Sequence, residues 1–399
     1  MVTIQNADNA LKTVFLESVV NDINQKTNPF LTMVGKNKRA VTGREARANI
    51  RFNNEGSVAA GTEGGVLPIN RNARTAEINT PVKNIFGTFQ ISDKALRSAS
   101  NDSGAFASLI AQEMGNLIGT AQNSLNTMLY GNGRRLLAWA DSVTATQITV
   151  PMRFNRAMAV GEVVRLFTAN NVDLGAATIT AVNLMGLVFT YTGAVNLTNQ
   201  DRIYIFRENE LEADTELNGV DSIFRQDRIY NIPAAQFTAI LPHIMTSPSA
   251  AADPLGILDE SALIRFFERY EEHCQGMPAD ILLTHPIVRK AVFENLRDKR
   301  SNIDTAELAG GFRGFSFNGI PVHSDVRCRA GTLYAINSDS WAMHELCDWT
   351  WISGEDGGIL KQIDGHAGFN ATLVKYADLI CEKPFLQGKA TNFSARRAV

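Results

Sequence analysis

From Phe106 to Leu129 the chain carries one continuous apolar stripe, in which Leu109, Ile110, Met114, Leu117, Ile118, Ala121, Leu125 and Met128 recur at three- and four-residue steps. That spacing puts all of them on one face of an α-helix. At 1.5 Å per residue such a helix is ~40 Å long. Asp102 or Ser103 supplies its N-cap and Gly131 its stop. A rod of that length is a spine for other elements rather than a piece of a small core.

The rest of the chain must dress that spine. At 399 residues it exceeds the size at which one core stops growing, so two or more lobes are expected. Apolar residues make up 45% and charged residues 20%, the balance of a folded protein. A net charge of -3 provides no global basic field for gripping nucleic acid or an anionic membrane. Cys274, Cys328, Cys347 and Cys381 form no C-x-x-C pair, so their spacing encodes neither a zinc site nor a disulfide framework. The first twenty residues lack the basic start and apolar block of a signal peptide, and no apolar run reaches the ~20 residues that span a bilayer. The expectation is a soluble protein, cytosolic where it is made.

Ahead of the spine, Leu11, Phe15 and Val19 mark an amphipathic helix that Asn28 and Pro29 stop. Two alternating runs follow. In "REARANIRF" Arg47, Asn49 and Arg51 face one side and Ala48, Ile50 and Phe52 the other, and "ARTAEINT" alternates again. They read as the arms of a hairpin. Its glycine-rich tip of ~20 residues is too long for an ordinary connection and too poor in large apolar groups to bury itself. Residues 36 to 82 carry a local excess of +4, with Arg44, Arg47 and Arg51 among the basic residues and Glu63 among the acidic ones. A solvated surface loop also fits this composition.

Beyond the spine, "TQITV", "EVVRLFT", "AATITAV", "LVFTYTG" and "DRIYIF" are short strands between turn residues, the pattern of a small barrel or sandwich inserted at 142–207. The remainder mixes helices ("SALIRFFERYEEHC", "HPIVRKAVFENLRDK") with strands ("DILLTH", "TLVKYADLICEKPF") and lacks a steady βαβ rhythm, which favours an α+β class.

The candidate chemistry is thin. "GFRGFSFNGIPVHSD" sets His323, Ser324 and Asp325 side by side, the residue types of a hydrolase triad. Asn318-Gly319 is a hairpin turn signal, and Pro321 places the start of the return strand at an edge. On a strand Ser324 faces away from His323 and Asp325, so nucleophile and base cannot meet. "HELC" offers His344 and Cys347 but no second ligand pair; a partly buried His and a core Cys account for it. Glu208, Glu210 and Glu212 share one face of an acidic run, which could hold a divalent ion or meet a basic arm and is more simply a solvated face. No phosphate-cradling loop is present. No catalytic residue, metal ligand or cofactor site is assigned.

In their order, these parts resemble a tailed-bacteriophage major capsid protein of the Hong Kong ninety-seven type. The resemblance rests on "REARANIRF" with its glycine-rich tip, "FGTFQISDKALRSA" with the spine helix, "GFSFNGIPVHSD" followed by "AGTLYAIN", and "TLVKYADLICEKPF". It implies an N-arm at 1–35, an extended E-loop at 36–82, a peripheral domain with the spine at 83–141, an inserted β domain at 142–207, an axial domain at 208–350, and a return to the peripheral domain at 351–399. The implied protein is no enzyme: it self-assembles through hexamers and pentamers into an icosahedral virion shell, made in the host bacterial cytoplasm, around double-stranded DNA that it does not read. Scaffolding, portal and decoration proteins are the partner classes of such a shell. A chain that goes almost at once from Met1 into the arm helix implies a separate scaffolding protein or none. Arg44, Arg47, Arg51, Glu63, Glu208, Glu210 and Glu212 are the candidates for contacts between subunits. Some relatives join a lysine to an asparagine covalently; Lys36, Lys38 and Lys83 lie in the corresponding region, but no motif marks a partner. The alternatives are an encapsulin-like compartment around a cargo enzyme, and a cytosolic hydrolase using His323 and Asp325.

Overall fold

The computed structural model describes residues 28–37, 41–53, 60, 74–94, 103–133, 136–140, 142–150, 160–167, 173–183, 188–195, 204–207, 215–225, 228–235, 238–246, 256–257, 260–274, 276, 279–286, 288–290, 305–308, 312–328, 331–354, 358–391 and 393–394. The expected arm helix before Asn28, Asp102, nearly all of the hairpin tip and the acidic run lie outside them.

The described chain opens on a single helical turn, α1 (Pro29–Met33), because Asn28 caps it: its Oδ1 accepts from the Phe30 amide at 2.9 Å, and Pro29 occupies the first turn. Strand β1 (Gly35–Asn37) follows, and then the two arms, β2 (Glu45–Asn53) and β3 (Arg74–Pro81), which pair antiparallel. Their alternation is as expected. Ala46, Ala48, Ile50, Ala76 and Ile78 are buried, while Arg47 and Glu77 are exposed. The buried face packs into the chain's own core, so the root of the hairpin is seated there, although the tip is poor in apolar groups. Asn231 seals the open edge of β3, accepting from the Asn79 amide at 3.0 Å and donating to the Glu77 carbonyl at 3.3 Å.

Strand β4 (Lys83–Ser92) leads to the spine, α2 (Ser103–Leu129), whose 27 residues span ~40 Å. Met114, Leu117, Leu125 and Leu129 bury the expected stripe. The helix crosses β4 over Gly87, where a Cβ would stand 3.0 Å from Leu117 Cδ1. At its far end the chain passes so close that a Cβ on Gly219 would overlap the Met128 carbonyl.

The inserted unit is an antiparallel seven-stranded sheet: β5 (Leu136–Trp139), β6 (Ser142–Val143), β7 (Gln147–Thr149), β8 (Val163–Phe167), β9 (Asp173–Asn183), β10 (Val188–Thr192) and β11 (Tyr204–Arg207). The strand order is β5-β11-β8-β9-β10-β7-β6. A separate core of Ile148, Val164, Leu166, Ile179, Phe189 and Tyr191 holds it. The sheet reaches back to Leu136, because β5 pairs with β11 from Trp139 opposite Tyr204.

Further on come β12 (His243–Thr246), α3 (Glu260–His273), β13 (Ile281–Thr284), β14 (Thr305–Leu308), β15 (Phe312–Phe317), β16 (Ile320–Ser324), β17 (Leu333–Ile336), β18 (Trp341–Trp351), β19 (Gly368–Cys381) and β20 (Gly388–Thr391). A mixed sheet takes the order β12-β20-β17-β13-β16-β15-β14, and α3 covers one face with Leu263, Phe266, Phe267 and Tyr270. Asn318 and Gly319 both have positive φ, 51° and 79°, as a tight hairpin turn requires. Strand β16 is interior from Val322 onward, between β13 and β15, while its start at Pro321 is paired on the β15 side alone, the local edge that the proline marks. Pro321 is tolerated because pairing with β13 begins only at Val322, so its missing N–H interrupts no ladder. In the remaining sheet β19 is central. It pairs with β4 on one side and β18 on the other, and β1 adds in parallel to the outer edge of β18. Helices and strands combined in this way make an α+β protein.

Candidate assembly joints

The His-Ser-Asp run builds no triad. His323 is buried and Ser324 faces the other side of β16, while Asp325 lies past the strand's end. Burial lowers the His323 imidazole to about 4; Asp325 opposes that shift and Arg289 adds to it. Both Asp325 oxygens are already engaged. Oδ2 accepts from Asn126 Nδ2 at 2.7 Å and from Asn28 Nδ2 at 3.2 Å, and Oδ1 accepts from the Arg327 amide at 2.7 Å. Among the described residues no three His, Cys, Asp or Glu side chains are grouped to hold a metal, and no helix is long and apolar enough to cross a membrane. His344 is fully buried with neither ring nitrogen hydrogen-bonded, and Cys347 is the half-buried one, the reverse of what "HELC" suggested.

Of the contact candidates, Arg47 is engaged within its own hairpin. Its guanidinium lies 3.1 Å from Glu45 and 3.8 Å from Glu77, all three side chains being exposed. Hydrogen bonds from Asn79 and Arg47 hold the Glu45 carboxyl below its ordinary value. Arg44 is exposed at the hairpin's root, where its carbonyl accepts from the Val82 amide at 2.9 Å. The Arg51 backbone pairs with Thr75. Its side chain, and Glu63, Glu208, Glu210 and Glu212 entirely, lie outside the described residues.

Three polar joints tie distant parts of the chain together. The first is the Asp325 clasp. Asn28 also donates to Asn126 Oδ1 at 3.0 Å and to Tyr130 Oη at 2.9 Å, and Arg327 reaches Asn123 at 3.0 Å. The mixed-sheet lobe, the end of the spine and the exit of the arm meet in one hydrogen-bonded cluster.

The second joint is Asp378 on β19, which is fully buried. Its Oδ1 accepts from the amides of Asn218 and Leu379, and its Oδ2 accepts from Thr80 Oγ1 and Asn218 Nδ2, at 2.7–3.0 Å. Burial pushes this carboxyl above its ordinary value while Lys83 and the donors pull it down. With donors at four acceptor positions, the site is built for the carboxylate. It locks the root of the hairpin to the segment leading toward the mixed sheet.

The third joint lies three residues back along β19 and therefore on its other face. Lys375 is 1% exposed and donates to Glu345 and Asp348 at 2.7 Å each. Lys36 on β1 adds a contact of 2.9 Å to Asp348 and one of 3.7 Å to Glu345. Burial pushes the Asp348 carboxyl up, but the charge of Lys375 with hydrogen bonds from Lys375, Lys36 and the Trp349 amide holds it well below the usual carboxylate range. Of the lysines considered for covalent joining, Lys36 is thus in an ion cluster, Lys83 is buried beside Asp378, and Lys38 lies outside the described residues.

The sequence carries a signal for the last two joints. Lys375 and Asp378 interrupt the otherwise apolar "TLVKYADLIC", and a charge within a buried strand must be paired. Which residues pair with them is set by sheet register and bulges, to which local spacing is blind.

No protein-family model matches the chain, and no curated protein matches it in sequence. Among solved structures, the capsid of Cyanophage A-1(L) aligns at TM-score 0.54 with 12% identity, covering 92% of each chain. Also similar are the procapsid of satellite phage P4 (TM-score 0.48, 10% identity, 95% of this chain and 90% of that one) and the SrpI encapsulin of Synechococcus elongatus PCC 7942 (0.45, 10%, 93% and 90%). The first of these likenesses, over 92% of both chains, shows the fold: that of a phage capsid protein.

Proposed function

We propose, from a chain that carries the phage capsid fold, that it is the major shell protein of a tailed phage and that its copies close into an icosahedral head around double-stranded DNA. The observation that carries this reading is the match to the A-1(L) capsid over 92% of both chains. The order of parts supports it: hairpin, spine, inserted sheet, mixed sheet, and a last long strand that returns to the sheet beside the spine. On this reading 1–35 is the N-arm, 36–82 the E-loop, 83–141 with 351–399 the peripheral domain and 208–350 the axial domain, with the inserted sheet between them.

The function is mechanical. Each subunit presents an arm and a hairpin to its neighbours, and modest interfaces add up over a closed shell. The joints at Asp325, Asp378 and Lys375 hold the lobes of one subunit in register, so strain at one interface is passed on instead of being absorbed by a loose chain. A net charge of -3 suits a container that encloses DNA and later releases it. Scaffolding, portal and decoration proteins are its proposed partners, and the host cytoplasm its place of assembly.

The test is the content of particles isolated from the producing cell. Nuclease-protected double-stranded DNA of one defined length supports the phage head. A single cargo enzyme and no genome points to an encapsulin-like compartment instead.

A further inference from the structure

We propose that β1 is a strap closed by charge, with Lys36 as its latch. Among the described residues the third joint groups two carboxylates and two ammonium groups, and these differ in how they are held. Lys375, Glu345 and Asp348 stand on β19 and β18, strands bonded to each other along most of their length. Lys36 stands on a three-residue strand that, among the described residues, pairs with one neighbour, through Gly35, Lys36 and Asn37 opposite Ala342, Met343 and His344. Among the described residues the two carboxylates are matched by two lysines when β1 lies down, and when β1 lifts the buried Glu345 and the half-buried Asp348 lose one of those cations.

That imbalance distinguishes Lys36 from an ordinary half-exposed lysine. Its Nζ is in reach of water, with the side chain 47% exposed, but the Glu345 that it helps neutralise is 1% exposed. An exposed ion pair contributes little, whereas removing one partner of a buried cluster leaves a charge with no solvent to take over. Among the described residues Glu345 Oε2 has no hydrogen-bond partner, so this buried carboxylate relies on the two lysines at its Oε1. Beneath the strap lies a cavity of about 20 Å³ lined by Leu31, Val34, Leu125 and Met343 with the charged groups. Apolar packing under β1 is therefore incomplete, and charge does the closing. The inference does not depend on what the assembled protein encloses. In a shell it would set when the N-terminal segment commits to its own subunit.

Hydrogen exchange on the full chain tests it, comparing wild type, Lys36→Met and Lys36→Met/Asp348→Asn. Met keeps the length and apolar stem of lysine, and Asn at 348 restores neutrality once Lys36 is gone. In Lys36→Met the amides of residues 35–37 and 342–344 should exchange roughly tenfold faster or more, while those of β13 are unchanged. The double variant should recover most of that protection although it lacks both partners of the Lys36–Asp348 pair. Unchanged exchange in Lys36→Met, equal acceleration in β13, or a double variant as fast as the single one would each overturn the latch. A role limited to packing is not rescued by changing the charge at 348.

Discussion

Asn28 donates its side-chain amide to the Asp325 carboxylate at 3.2 Å across 297 positions of sequence. Asn28 is 1% exposed, so its polar atoms have no water to fall back on. The cluster around this pair explains why three residue types of a hydrolase stand together without acting as one: Asp325 binds the spine and the arm, while His323 is held neutral in the core. Asp325→Ala should therefore destabilise the chain by about 2–4 kcal/mol in urea unfolding, since several donors lose a charged acceptor at once. A double-mutant cycle with Asn28→Ala should show a coupling of about 1 kcal/mol or more. Additive effects would mean that the two residues do not act as a joint.

Asp378 makes a sharper case, because shape is preserved in the variant. In Asp378→Asn at least one of the four donors, from Thr80, Asn218 and Leu379, must face an amide N–H₂ instead of an oxygen. A loss of about 2–3 kcal/mol is expected, with the native secondary structure retained. If the variant is as stable as wild type, the group is protonated in the native chain and the carboxylate reading of the joint is wrong.

Stability should fall on mild acidification. His243 and His323 are lowered to about 4 from an ordinary 6.5, in both cases chiefly by burial, and burial lowers His344 as well. A depressed folded value means that the unfolded chain takes up the proton first, so stability is complete above 6.5 and is lost as pH falls toward 4. For the well-buried His323 this amounts to about 3 kcal/mol at most. Asp348, lowered from 3.8, adds a loss that begins only below about pH 4. Unfolding free energies measured from pH 7 to 4 should trace this decline, and His323→Gln should flatten it. A profile flat over that window, or unaltered by the substitution, would contradict the assignment.

On the proposed reading the exposed hairpin face meets neighbouring subunits. Arg47→Glu/Arg51→Glu replaces two cations on β2, and Glu at 47 would meet Glu45 and Glu77 in place of the present ion pairs. Because exposed pairs are worth about 0–1 kcal/mol, each subunit should remain folded by circular dichroism. Particles should nevertheless fail to close, since the charge is reversed at every copy of the interface. Native-size particles from this variant would remove both arginines from the contact.

Elements with strong local periodicity were legible in the sequence. The spine, the two-faced hairpin arms, the Asn318-Gly319 turn and the short strands of the inserted sheet all follow from period 3.6, period 2 or turn chemistry. The joints were not, since Asn28, Asn126 and Asp325 stand on elements far apart in sequence, and nothing near any of them in the chain names the others. Strand β5 is not legible in the sequence because "LLAW" is too short to show a period and gains its identity from β11. The interior position of β16 from Val322 onward is not legible for a related reason. Pro321 marks where pairing is absent on one side, and the chain alone does not say for how many residues.

The most direct test of the central claim is the state of the purified chain in sedimentation, with electron microscopy of the same fractions. The account predicts megadalton particles that image as closed shells of uniform diameter with icosahedral symmetry, formed alone or on addition of a scaffolding protein. A folded chain that remains a monomer or a small oligomer under both conditions would contradict it.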